Sequence, residues 1–156
     1  MFTVEFDRLN SLLLVRFRGQ LALSDISTFD KLASAFVAAE GPVHIIVDFT
    51  AVQSISIPDR AIAERGRQPQ LCPSHRRAIV APQAELRGLY QVFAANQEAV
   101  GLSPPPIVET LGQALVSIGL RKSRLKTVTV STPELSGLVT SLERSPRHSA
   151  VASWRV

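Results

Sequence analysis

The chain opens with two short runs of alternating character. Phe2, Val4 and Phe6 interleave with Thr3, Glu5 and Asp7, the period of two that marks a half-buried strand. A turn follows over Arg8 to Ser11, and Leu12 to Arg18 reads as the next strand. Leu13, Val15 and Phe17 share one face of it. Leu12, Leu14, Arg16 and Arg18 share the other, which turns polar toward its end. The short connection predicts an antiparallel hairpin, closed off by Gly19 and Gln20. Ser24 and Asp25 then supply a helix cap. Ile26, Phe29, Leu32, Ala33, Phe36 and Val37 recur at the helical period through about Ala39. Gly41 and Pro42 stop that helix.

The stretch from Val43 to Arg60 is the centre of the pattern. Val43 to Val47 is a β-branched, almost unbroken apolar run, as a strand covered on both faces requires. Asp48 is expected at its carboxyl end, followed by a polar loop to Asp59 and a short helix from Pro58 onward. Strand, helix, strand in this order implies a right-handed crossover and a parallel pair. Arg77 to Ala81 is a fourth strand, and Ala84 to Ala99 a helix with Leu86, Leu89, Tyr90, Phe93, Ala94 and Gln97 on one face. Gly88 interrupts that helix at a cost of about 1 kcal/mol relative to Ala, unless it serves a close backbone contact. Ile107 and Val108 form a marginal edge strand behind three prolines. Thr110 caps a last helix with Leu111, Ala114, Leu115 and Ile118 inward. The order ββαβαβαβα predicts an α/β domain over residues 1–120, a mixed sheet of about five strands packed by helices in two layers.

Beyond residue 120 the regularity fades. Thr127 to Ser131 alternates as a strand does, Leu135 to Leu142 reads as a short helix, and Trp154 is nearly terminal. Residues 121–156 are expected to be a basic C-terminal extension, partly ordered or docked on the domain or on a second copy of the chain. Charge supports that division. Residues 1–120 hold 10 of the 17 Lys and Arg against 11 of the 13 Asp and Glu. The basic excess therefore belongs to the extension, chiefly to Arg121, Lys122, Arg124 and Lys126. Only there is contact with nucleic acid or an anionic membrane surface worth weighing. The plainer role of these residues is a solvated exit from the domain.

At 156 residues the chain suffices for one domain with a real core. No apolar run approaches a membrane span. Glu5 and Asp7 stand where an export signal carries positive charge, so a cytoplasmic location is expected. The single cysteine, Cys72, permits no internal disulfide and no thiolate cluster for a metal. His44, His75 and His148 are scattered. No P-loop or dinucleotide fingerprint is present. Asp48 and Asp59 flank the central loop and would suit acid–base work if they met. More simply, Asp48 orders the loop and Asp59 sits in a helix's first turn. Tyr90 combines an apolar ring with a polar tip, fit either to close a pocket with Phe93 or to finish the core. No cofactor, no metal and no enzymatic activity are expected.

Three strings carry a family resemblance: GQLALSDISTFD from Gly19 to Asp30, IIVDFTAVQSIS from Ile45 to Ser56, and RRAIVAPQAELRGLYQVFAANQEAVG from Arg76 to Gly101, with IVETLGQAL after it. Together they resemble the STAS fold and its SpoIIAA-like, anti-sigma-factor antagonist-like relatives over roughly the first 120 residues. The resemblance implies a non-catalytic protein-interaction or regulatory module whose central loop carries a phosphorylated serine in an Asp-Ser-Ser-Gly-like motif. Counting from Asp48, Ser56, Ile57, Pro58 and Asp59 occupy those four places, so Ile57 and Pro58 replace the hydroxyls. A slip of one or two residues brings Ser56 or Ser54 to the acceptor position.

The expected binding surface comprises Asp48, Gln53, Ser54, Ser56, Pro58, Asp59, Arg60 and Tyr90, with Ser56 as the phosphorylation candidate. Ile55 and Ile57 either add apolar contacts to that surface or anchor the loop in the core. The expected partner is a protein, and a homodimer is open. A carrier or sensor of a small apolar or anionic ligand is the alternative, to be favoured by an apolar cavity beside the loop.

Overall fold

A computed structural model describes residues 1–121, 123 and 125–128. The elements are β1 (Phe2–Asp7), β2 (Leu12–Ala22), α1 (Leu23–Glu40), β3 (His44–Ser56), α2 (Asp59–Gly66), β4 (Arg77–Val80), α3 (Ala84–Ala99), β5 (Ile107–Val108), α4 (Leu111–Ser117) and β6 (Lys126–Val128). They build one sheet in the order β5-β4-β3-β2-β1-β6. β1 lies antiparallel to β2 and β6, while β2, β3, β4 and β5 run parallel. The predicted order of elements and the mixed sheet are present, with β6 beside the expected five strands. Lys122, Arg124, the proposed helix at 135–142, His148 and Trp154 lie outside the described residues, as do the side chains of 126–128.

The alternation in β2 decides the layering. Leu13, Val15 and Phe17 enter one core with Ile26, Phe29 and Phe36 of α1, and with Ala61, Ile62 and Leu86 from α2 and α3. Leu12 and Leu14 enter a second core with Ile46, Ala78 and Val80, sealed by Ala114 and Ile118 on and just beyond α4. The domain therefore has three layers, not two. The inner face of α4 needs an apolar partner, and the far side of the central strands is the surface available. Leu12 to Val15 and Ile46 are wholly buried. Each such side chain contributes about 1.5–3 kcal/mol through burial.

Two boundaries differ from expectation. β2 does not stop at Arg18 but continues to Ala22, passing through Gly19 at a positive φ of 70° that glycine accepts without strain. α1 consequently starts at Leu23, ahead of Ser24. Asp25 acts as the reciprocal half of a cap, its Oδ2 accepting from the Ala22 amide at 3.0 Å. β3 is longer still and is treated below with the site.

Glycines 66 and 88 separate packing from propensity. A Cβ on Gly66 would stand 2.6 Å from the Phe93 carbonyl oxygen and 2.8 Å from Asn96 Cβ, so α2 crosses α3 at a distance only glycine permits. Gly88 has nothing within 4 Å of the corresponding point. It serves no close contact and carries only its entropic cost. In urea titrations, Gly66→Ala should lose about 1–3 kcal/mol through overpacking. Gly88→Ala should gain up to about 1 kcal/mol. Equal effects at the two positions would contradict the crossing geometry.

Candidate functional site

Asp48 is not at a strand's end. It is the fifth residue of β3, a strand of 13 residues, and is only 7% exposed. It marks instead the end of pairing with β4, where Asp48 lies opposite Val80. From Phe49 to Ser56, β3 is paired with β2 alone and continues as a two-stranded parallel ribbon. Asp48 shares a face with Ile46, and its Oδ1 accepts from the Thr50 amide at 2.9 Å and the Thr50 hydroxyl at 2.5 Å.

The ribbon persists because β3 carries two irregularities. Between Arg16↔Asp48 and Arg18↔Ala51, and again between Gly19↔Val52 and Gln20↔Ser54, β3 spends one residue more than β2. Each extra residue resets the alternation. As a result Phe49, Val52, Ile55 and Ile57 all join the first core. Phe49 stacks on Phe17 at 5.2 Å. Ile55 and Ile57 anchor inward and are not surface contacts. The outer side is polar: Thr50, Gln53, Ser54, Ser56, Pro58, Asp59 and Arg60 are exposed, joined by Arg18 and Gln20 from β2. Ser56 ends β3 with its side exposed. Pro58, at φ −65°, leads into α2, where Arg60 pairs with Glu64 at 2.9 Å.

A free strand edge requires donors for its carbonyls. Gln83 provides them. Its Nε2 donates to the carbonyl oxygens of Phe49, Thr50 and Val52 at 3.0, 3.1 and 3.1 Å. Turning the amide over would press Oε1 against three carbonyls, so the orientation is set by chemistry. Sequence reasoning missed Gln83. Its position after Pro82, at the mouth of a helix, was its only signal.

Tyr90 lies apart from the polar row. Its hydroxyl donates to the Pro105 carbonyl at 2.5 Å, and its ring stands 6.4 Å from Phe93. Burial raises its pKa, with Glu98 adding to the rise and Arg77 opposing it. Tyr90 and Phe93 line an apolar recess of about 90 Å³ together with Leu21, Ile57 and Leu86. The recess adjoins a larger cleft of about 730 Å³ between α1 and the α2–α3 pair, floored by Val47, Phe49 and Ile79. Asp30 on α1 and Arg65 on α2, joined by an ion pair, both line this cleft. Arg77, also lining it, donates through Nη2 to Gln97 Oε1 and the Ser103 carbonyl, each at 3.2 Å. Burial works against its charge, as does Arg65 nearby, and both lower its pKa.

Other candidates do not assemble. Asp48 faces the α4 side, while Asp59 is exposed on α2. His44 and His75 pack 4.9 Å apart, but at the opposite, amino end of β3. Among the described residues, no three His, Cys, Asp or Glu side chains are placed to hold a metal. Cys72 is buried, and Arg121 is exposed.

The fold has a counterpart among solved structures. The anti-sigma factor antagonist SpoIIAA, solved in its unphosphorylated form, superposes with a TM-score of 0.51 over 74% of this chain and 94% of its own, at 14% identity. The fold is STAS-like. No family model matches the chain, and no curated protein matches it. No described helix is long and apolar enough to cross a membrane.

Two measurements probe this geometry. Gln83→Leu should cost about 0.5–1.5 kcal/mol in urea unfolding, because the part-buried carbonyls of Phe49 and Val52 lose their donor. Gln83→Glu should cost at least as much at pH 7 despite its similar size. The second concerns His44, whose pKa is lowered from 6.5 by burial first and by His75 next. Its Nδ1 accepts from the Arg76 amide at 3.0 Å, which suits the neutral ring. Below pH about 6.5 the unfolded chain takes up this proton before the folded one, so stability falls with pH in that window. The urea midpoint should drop between pH 7 and 5.5, and His44→Gln should remove part of that drop. An unchanged pH slope in the variant would exclude His44 as its source.

Proposed function

We propose that this chain is a non-catalytic regulatory module that docks a protein partner on the outer side of the β2–β3 ribbon and the first turn of α2. The observation that carries the proposal is the division of one stretch into two faces. Phe49, Val52, Ile55 and Ile57 hold the ribbon to the core, and Gln53, Ser54, Ser56, Pro58, Asp59 and Arg60 stand exposed beside them. Docking such a surface costs little ordering, since extended pairing and Pro58 already hold its backbone. A polar row with an adjacent ion pair suits a protein rim better than covalent chemistry. The likeness to SpoIIAA, an anti-sigma factor antagonist, supports the same reading at the level of the fold.

Ser56 is the proposed phosphorylation point. Phosphate there would add about −1.5 to −2 charge next to Asp59 and change any contact made by the row. Ile57 and Pro58 offer no hydroxyl, which leaves Ser54 and Ser56 as the acceptors in this segment.

Affinity capture from native extract tests the proposal, comparing wild type with Ser56→Asp and with Gln53→Ala plus Arg60→Ala. All three should keep the wild-type circular dichroism, because the substituted side chains are exposed. A specific partner should be retained by wild type and depleted about tenfold or more by the double substitution. The same proteins captured by every folded variant would remove the ribbon as the docking surface.

A further inference from the structure

The cleft between α1 and the α2–α3 pair is a second feature, separate from the ribbon's outer row. Its floor is the middle of the sheet, on β3 and β4, where Val47 and Ile79 remain only half-buried. Central parallel strands are ordinarily covered on both faces. Among the described residues the α4 side is sealed and the other side is not. The volume of about 730 Å³ falls within the range of small-molecule sites. Leu23 and Leu71, among the few large apolar side chains left exposed at 42% and 40%, line it from α1 and from the loop after α2.

Arg77 gives the cleft a charge. It rises from the same sheet face as Ile79, with no carboxylate partner among the described residues. Only Nη2 is engaged. Among the described residues Nε and Nη1 have no hydrogen-bond partner, and neither is among the buried unpartnered atoms. Both paired forks of a guanidinium include Nη2, which is taken here, so Nε and Nη1 each offer a single charge-assisted bond to an anionic oxygen. Arg65, the other cation, is already held by Asp30. A guanidinium with open single donors at the edge of an apolar floor calls for one anionic group on an apolar body.

We propose that this cleft binds an anionic amphiphile, its head group on Arg77 and its hydrocarbon chain along Val47, Ile79 and Phe49 toward the recess beside Tyr90. The shared head-group chemistry is a carboxylate or a phosphate monoester. The ion pair between Asp30 and Arg65 holds the two walls on either side of the chain.

Calorimetric titration of the full chain with dodecanoate, dodecyl phosphate and dodecan-1-ol, all below micelle formation, tests this. At least one anionic probe should bind about tenfold or more tightly than the alcohol, the difference expected of a charge-assisted pair. The tighter of the two anions identifies the head group. Arg77→Gln should weaken the anion about tenfold and leave the alcohol unchanged, and Arg77→Lys should restore part of the loss. Ser27→Trp, at an exposed position lining the cleft, should weaken all three. Equal binding of anion and alcohol by wild type, or no binding of any probe, would overturn the proposal even if the Arg77 variants failed to fold. Binding of the anion unaffected by a folded Arg77→Gln would overturn it as well.

Discussion

Parallel pairing of β2 with β3 is the constraint on which the rest depends. The pairing runs from Leu12↔His44 to Ala22↔Ser56, the length of both strands. Its first half lies inside the sheet and is buried on both faces. That double burial is what recruits α1 to α3 on one side and α4 on the other. Its second half leaves the sheet, because β4 ends at Val80 and β1 begins only at Phe2, opposite Phe17. A parallel ribbon without neighbours is an exposed pair of edges. It survives here because its apolar side remains in the core and because Gln83 meets the carbonyls on the β3 edge.

The same extension shapes both surfaces of interest. It carries a row of short polar side chains outward, past the covered part of the sheet. It also turns Phe49 and Ile57 inward, where they line the recess that opens into the cleft. The walls of that cleft are set elsewhere. α2 is drawn against α3 through Gly66, and α2 is tied to α1 by Arg65 and Asp30. Packing α2 closely on α3 leaves the floor between α2 and α1 without a covering side chain among the described residues. The likeness of the whole to SpoIIAA therefore concerns the scaffold, while the charge and shape of the cleft come from this chain's own residues.

Much of this was legible in the residues. Alternation at 2–6 and the short turn before the apolar run from Leu12 have one structural solution, a hairpin, because the strand period is two. The stripe from Ile26 to Val37 has one as well, at the period of 3.6. The continuous apolar run at 45–47 pointed to a central strand, and β3 is central. These patterns are local, and each is forced by backbone geometry. They were sufficient for the order of the elements and for the mixed sheet.

The extension of β3 past Asp48 was decided only in three dimensions. Its inward residues are 49, 52, 55 and 57, spacings of three, three and two that match neither a strand nor a helix. Two irregularities reconcile them, and these exist only because β2 runs alongside with fewer residues. The third layer was likewise hidden: the apolar stripe of α4 says that it packs, not on which face. Gln83 and Arg77 are ordinary letters in the sequence. One covers a strand edge 31 to 34 residues away, and the other stands in a gap between helices contributed by three separate segments. Local periodicity determines what each segment becomes. Where the segments leave an edge uncovered or a floor bare depends on contacts between residues far apart in the chain, which periodicity does not encode.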